Sequence, residues 1–103
     1  MRPEGEDVGT VFRFKLYVAG TAGGSASAED RLRRLCAERF APGECDITVV
    51  DVLAALAEAD AARILVTPTV VRTEPLPVVR VIGGLSATTQ VAGALSLPAP
   101  RKQ

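Results

Sequence analysis

A proline interrupts an apolar run in this chain. Residues 63–72 read Arg-Ile-Leu-Val-Thr-Pro-Thr-Val-Val-Arg, two β-rich stretches around Thr67-Pro68-Thr69 with an arginine at each end. Proline has no amide hydrogen to give to a ladder, so Pro68 does not belong inside a central strand. The run therefore divides into a tight bend at Thr67-Pro68 and a strand directly after it. A cis peptide bond at Pro68 suits such a bend.

The elements around this point follow from periodicity. Residues 11–19 alternate, with Phe12, Phe14, Leu16 and Val18 on one face and Arg13, Lys15 and Tyr17 on the other. That predicts a first strand whose second face is covered only near Tyr17. Gly20 to Ser25 form a turn, and Ser25 or Ser27 can cap a helix. Ala28, Leu32, Leu35, Cys36 and Phe40 then share a helical face, with Arg31, Arg33, Arg34 and Glu38 mostly opposite. Pro42-Gly43 ends that helix.

Asp46 to Val52 is a second strand, apolar enough to expect cover on both faces and parallel pairing. Leu53 to Ala62 is a short alanine-rich helix. After the bend and its strand, Pro75 and Pro77 mark a hairpin connection, Val78 to Ile82 a fourth strand, and Gly83-Gly84 its end. Ser86 can cap a last helix, in which Val91, Ala94 and Leu95 share a face and which Pro98 stops. The order is β-α-β-α-β-β-α, a thioredoxin-like α/β order in which the third strand is entered through a cis-proline, here Pro68. Residues 1–10 read as a flexible leader, 11–97 as one domain and 98–103 as a flexible tail.

The totals exclude several classes of function. Twelve basic residues balance twelve acidic ones, so no net field favours nucleic acid or an anionic membrane. No apolar run reaches the ~20 residues that span a bilayer. The polar, acidic start is unlike a signal peptide, and a cytoplasmic location follows. There is no histidine, which removes Ser-His-Asp triads, Cys-His pairs and histidine metal sites. Two cysteines, Cys36 and Cys45, are too few for a cysteine-only zinc site and are not spaced Cys-x-x-Cys. They read as idle thiols rather than a disulfide. Nothing in the motifs asks for a cofactor or metal.

Candidate chemistry is thin. Gly20, Gly23 and Gly24 fit neither Gly-x-Gly-x-x-Gly nor a Walker loop, which leaves a plain turn. A thioredoxin-type redox enzyme would carry its cysteines in that turn, and this one has none. The scattered carboxylates read as solvated positions, with Asp51 assigned a structural role at a strand end. The arginines of the first helix read as a solvated face. Arg63, Arg72 and Arg80 bracket the Pro68 bend and its hairpin, where arginines can anchor a protein partner.

Five motifs, taken together, carry a family resemblance. They are Lys-Leu-Tyr-Val-Ala-Gly at 15–20, Val-Asp-Val-Leu at 50–53, Arg-Ile-Leu-Val-Thr-Pro-Thr at 63–69, Pro-Leu-Pro at 75–77 and Val-Ile-Gly-Gly-Leu-Ser at 81–86. With them the chain resembles the KaiB family of circadian clock proteins. The resemblance implies a non-enzymatic protein that binds the N-terminal ATPase ring of a KaiC-type ATPase. A related role is that of a signalling module acting with a histidine kinase, whose sensor domain is KaiB-like. It also implies a metamorphic fold, with a tetrameric ground state and a thioredoxin-like, usually monomeric, partner-binding state that differ after Val52.

By position, Arg63 and Arg72 match basic residues of the family's partner-facing surface, Arg80 a cation of the second hairpin, and Leu65, Val66 and Thr67 the neighbouring stretch. Pro68, Gly83 and Ala94 are the structural positions. Some positions depart from the family pattern: Ser27, Thr48 and Val79 stand where relatives have basic residues, and Gly84 where they have an acid. Leu97-Pro98-Ala99-Pro100 replaces a tyrosine-bearing helix, and Ala94 and Ser96 stand where relatives have a glycine and an acid. Alanine favours helix over glycine by roughly 1 kcal/mol. The thioredoxin-like state, as a monomer, is therefore expected over a tetramer or dimer of the ground-state fold.

Overall fold

The computed structural model describes residues 11–20, 25–83, 85 and 88–100. The leader over 1–10, most of the glycine-rich turn, Gly84, the Ser86 cap and the end of the tail fall outside them. Seven elements follow the expected order: β1 (Phe12–Val18), α1 (Ser25–Arg39), β2 (Cys45–Asp51), α2 (Leu56–Ala61), β3 (Thr69–Glu74), β4 (Val79–Ile82) and α3 (Thr88–Ala94). They build one sheet in the order β2-β1-β3-β4. β1 and β2 are parallel, while β3 runs antiparallel to both β1 and β4. The fold is mixed α/β and thioredoxin-like, and the Thr67-Pro68 bond that leads into β3 is cis.

Side-chain parity assigns the two layers. Phe14, Leu16 and Val18 of β1 and Val70 of β3 pack with Ala28, Leu32, Leu35 and Cys36 of α1 and Val91, Ala92 and Leu95 at α3. The opposite face holds a thin second cluster of Tyr17, Val50 and Val71, closed by Val52, Ala55, Ala62 and Ile64. Tyr17 is buried there while Arg13 is exposed, so the second face of β1 is covered only at its C-terminal end, as the alternation implied. β2 departs from expectation. It is an edge strand with β1 as its one neighbour, and of its apolar residues Val50 alone is buried; Val49 stays 38% exposed. A continuous apolar run suits a strand with two neighbours, and an edge position overlaps the helical layers only in part.

α2 is shorter than the alanine-rich run, and it closes without the usual glycine. Ile64 N–H donates to Ala59 O and Arg63 N–H to Asp60 O, while Arg63 takes a left-handed φ of 58°. That is the Schellman pattern, in which glycine commonly fills the left-handed position. α3 ends in the same way, with Leu97 N–H on Ala92 O, Ser96 N–H on Gly93 O and Ser96 at φ 57°. A left-handed non-glycine residue costs about 1–2 kcal/mol, and glycine gives back about 0.5–1 kcal/mol through its freer unfolded chain. Ser96→Gly is therefore expected to stabilise the fold by about 0.5–1 kcal/mol, read as a raised urea midpoint with an unchanged slope. A lowered midpoint would show that Ser96 contributes more than its backbone shape.

Candidate functional site

The C-terminal ends of β1 and β2, the start of β3 and the end of β4 meet at one edge of the sheet. The loop from Ala62 to Pro68 lies there, and it is fixed at both ends. At its start, the Arg80 guanidinium reaches across from β4 and donates to Ala62 O and, at 3.2 Å, to Arg63 O. A cation on the last carbonyls of a helix is favourable both as a hydrogen bond and toward the helix dipole. At its end, Thr69 Oγ1 donates to Val66 O at 2.5 Å and Gly83 N–H donates to Pro68 O at 2.9 Å. Gly83 has φ 118°, a backbone shape that only glycine adopts readily.

A loop held in this way presents apolar side chains outward. Leu65 is 92% exposed and Val66 51%. Ile82 is exposed beside them, since it pairs with Thr69, whose hydroxyl holds Val66. Leu53 and Leu56, on the segment leading into and beginning α2, are exposed as well. The cation Arg63 borders this patch, and with Asp60, Ala61 and Leu65 it lines a shallow cavity of about 450 Å³. Scattered exposed apolar residues are ordinary, whereas Leu65, Val66 and Ile82 stand exposed together on this loop and the neighbouring strand end.

The structure brings together Arg63, Leu65, Val66 and Arg80. Thr67 is half-buried next to them. Arg72 does not join them, which corrects its place among exposed anchors. It is 4% exposed and lies on the opposite face of the sheet from Arg80. Arg80 pairs with Val71, whereas Arg72 pairs with Phe14 and Val79, so its side chain enters the α1–α3 layer. There it donates to Leu95 O at 2.6 Å and Pro77 O at 2.8 Å and lies 5.9 Å from the centre of the Phe12 ring. Its Nε has no hydrogen-bond partner among the described residues. Arg72 is thus a buried clamp that ties β3 to the end of α3 and to the Pro75–Pro77 connection.

Other sequence assignments resolve locally. Asp51 has the structural role expected: its carboxylate accepts from the amides of Gly20 and Leu53, both at 2.9 Å. Ala94 is the exposed last residue of α3. Lys15 reaches Glu58 of α2 at 3.0 Å, and that hydrogen bond raises the lysine above its usual range. Any stability from this exposed pair is present below the ordinary lysine pKa and lost as pH rises past the raised one; it is small. Sequence reasoning missed Leu53, Leu56 and Ile82. They read as ordinary members of the expected helix from Leu53 to Ala62 and the expected strand from Val78 to Ile82, and no residue pattern marks them as uncovered. Among the described residues no helix is long and apolar enough to cross a membrane.

The family model for the KaiB domain matches residues 15–97. The chain belongs to the KaiB family. It is 40% identical over 83 residues to the circadian clock oscillator protein KaiB of Synechococcus elongatus, covering 81% of this chain and 80% of that one. It is 31% identical to the circadian clock protein KaiB3 of Synechocystis over the same shares. Among solved structures, the N-terminal domain of Synechococcus elongatus SasA matches with a TM-score of 0.70 at 19% identity, covering 89% of this chain and 90% of that one. Mitochondrial thioredoxin 3 of Saccharomyces cerevisiae matches with a TM-score of 0.66 at 18% identity, covering 86% and 81%. At such identities the structural likeness speaks for the fold alone. This KaiB-family chain has a thioredoxin-like architecture without cysteines at the Pro68 end of the sheet.

Proposed function

We propose that this KaiB-family protein is a non-enzymatic clock or timing regulator that docks on the N-terminal ATPase ring of a KaiC-type ATPase. In this reading it works in the cytoplasm, as a monomer in the thioredoxin-like state, and needs no cofactor. The observation that carries the reading is the fixed loop with Leu65 and Val66 standing out beside Arg63. A loop already held in one shape loses little entropy on docking, and an apolar anchor with a cation at its rim suits a protein surface. Arg80 acts through the loop it holds, and Thr67 through the bend into β3.

The test is co-elution of the purified chain with a purified KaiC-type ATPase, using the wild type and the Arg63→Glu, Leu65→Glu pair. The wild type is expected to travel with the ring and the double variant alone. Equal co-elution of both would remove the assignment of this surface. The family resemblance carries a second reading, a signalling module working with a histidine kinase in trans. Binding to a kinase but not to the ATPase would select it.

A further inference from the structure

Cys36 and Cys45 are nine residues apart in sequence, near the end of α1 and at the start of β2. The fold brings them together. Cys36 is buried and Cys45 half-buried, and both are free. Both line one cavity of about 350 Å³, whose wall includes Phe40, Pro42, Ile47 and Arg33. Arg33 is paired to Glu29 on its own helix at 2.8 Å, and its guanidinium still favours a thiolate at either cysteine. This site lies at the opposite end of the sheet from Pro68, since Cys45 pairs with Phe12 while Thr69 pairs with Tyr17. It is therefore remote from the proposed docking loop and from the place where thioredoxins carry their cysteines.

The two sulfurs are unequal. Cys36 is held protonated, first by its hydrogen bond to Cys45 and then by burial. Cys45 is lowered by accepting that hydrogen bond, with Arg33 helping and burial and Asp46 opposing. A half-buried thiol beside a buried one on the wall of one cavity has the layout of an attacking and a resolving cysteine.

We propose that Cys36 and Cys45 form a reversible dithiol–disulfide switch that is oxidised by hydroperoxides, Cys45 attacking and Cys36 resolving. Cys45 Sγ attacks one peroxide oxygen; the S–O bond forms, the O–O bond breaks, and the leaving oxygen departs as water or an alcohol with the thiol's proton. Cys36 Sγ then attacks the sulfenic sulfur. The S–S bond forms, the S–O bond breaks, and the hydroxyl leaves as water with the Cys36 proton. The two thiols give up two electrons and the peroxide takes them. An external dithiol reverses the step. The apolar wall admits an alkyl peroxide as well as hydrogen peroxide. The disulfide ties the last turns of α1 to the edge strand β2.

The experiment treats the full chain with hydrogen peroxide, blocks remaining thiols and reads intact and peptide masses. The wild type is expected to lose two hydrogens as a monomer, in a Cys36–Cys45 linked peptide, and to regain them with dithiothreitol. Cys36→Ser is expected to stop at a sulfenic acid on Cys45, trapped by dimedone. Cys45→Ser should react at least about 10-fold more slowly, as a protonated buried thiol does. Two free thiols in treated wild type, a linked dimer instead of an internal bond, or equal rates in the two serine variants would each overturn the proposal. The wild-type arm stands even where a serine variant fails to fold.

Discussion

Arg72→Ala is expected to destabilise this protein by about 2–4 kcal/mol, more than any single exposed substitution. Hydrogen bonds from a charged donor contribute about 1.5–3 kcal/mol each, and Arg72 makes two, to Leu95 O and Pro77 O. The sum is reduced because a buried guanidinium with an unpartnered Nε carries a desolvation cost. Alanine would also remove the stem beside Phe12 and leave two carbonyls to find water. Arg72→Lys should recover only part of the loss, since an ammonium is a point donor and cannot fork between two acceptors as a guanidinium does. Urea unfolding of the three proteins reads the difference. If Arg72 were instead an exposed partner contact, Arg72→Ala would change stability by no more than about 0.5 kcal/mol, as surface substitutions usually do. That outcome would defeat the clamp.

Leu65→Glu has the opposite profile. At 92% exposure Leu65 has almost nothing to lose in the free protein, so its unfolding midpoint should stay within about 0.5 kcal/mol of wild type. Affinity for a KaiC-type ATPase should fall by about 100-fold or more. A central apolar anchor is commonly worth 2 kcal/mol or more, and every 1.4 kcal/mol is tenfold. A buried glutamate with no partner adds to the loss. Titration calorimetry on the ATPase ring measures it. A change of less than threefold would place the anchor elsewhere.

These two outcomes separate an arginine and a leucine that the sequence groups together. Pro68 was legible because a missing amide hydrogen forbids a central strand position wherever it occurs, and the element order followed from periods of two and 3.6. Arg72 was not. β3 is apolar on both faces, with Val70 on one and Val71 on the other, so alternation could not say which side an arginine at 72 would take. Its burial depends on where the end of α3 places Leu95 O, a long-range fact. The exposure of Leu65 was hidden for a related reason. Ile-Leu-Val before a proline reads as strand, whereas a Schellman close with Arg63 in the left-handed position ends α2 there and turns the run into a loop. No glycine announced that turn. The nearness of Cys36 and Cys45 likewise arises from packing a helix end on a strand start, and no spacing rule encodes it.

In the proposed docking, the end of the sheet carrying the 62–68 loop is the face this KaiB-family protein turns toward its partner. Backbone amide exchange of the free chain and of its complex with the KaiC-type ATPase ring tests it most directly. Docking through this loop is expected to add protection on residues 63–67 and 80–83, with the Cys45 end of the sheet and the exposed face of α1 unchanged. Protection gathered at the Cys45 end, with the 62–68 loop exchanging as it does in the free protein, would contradict it.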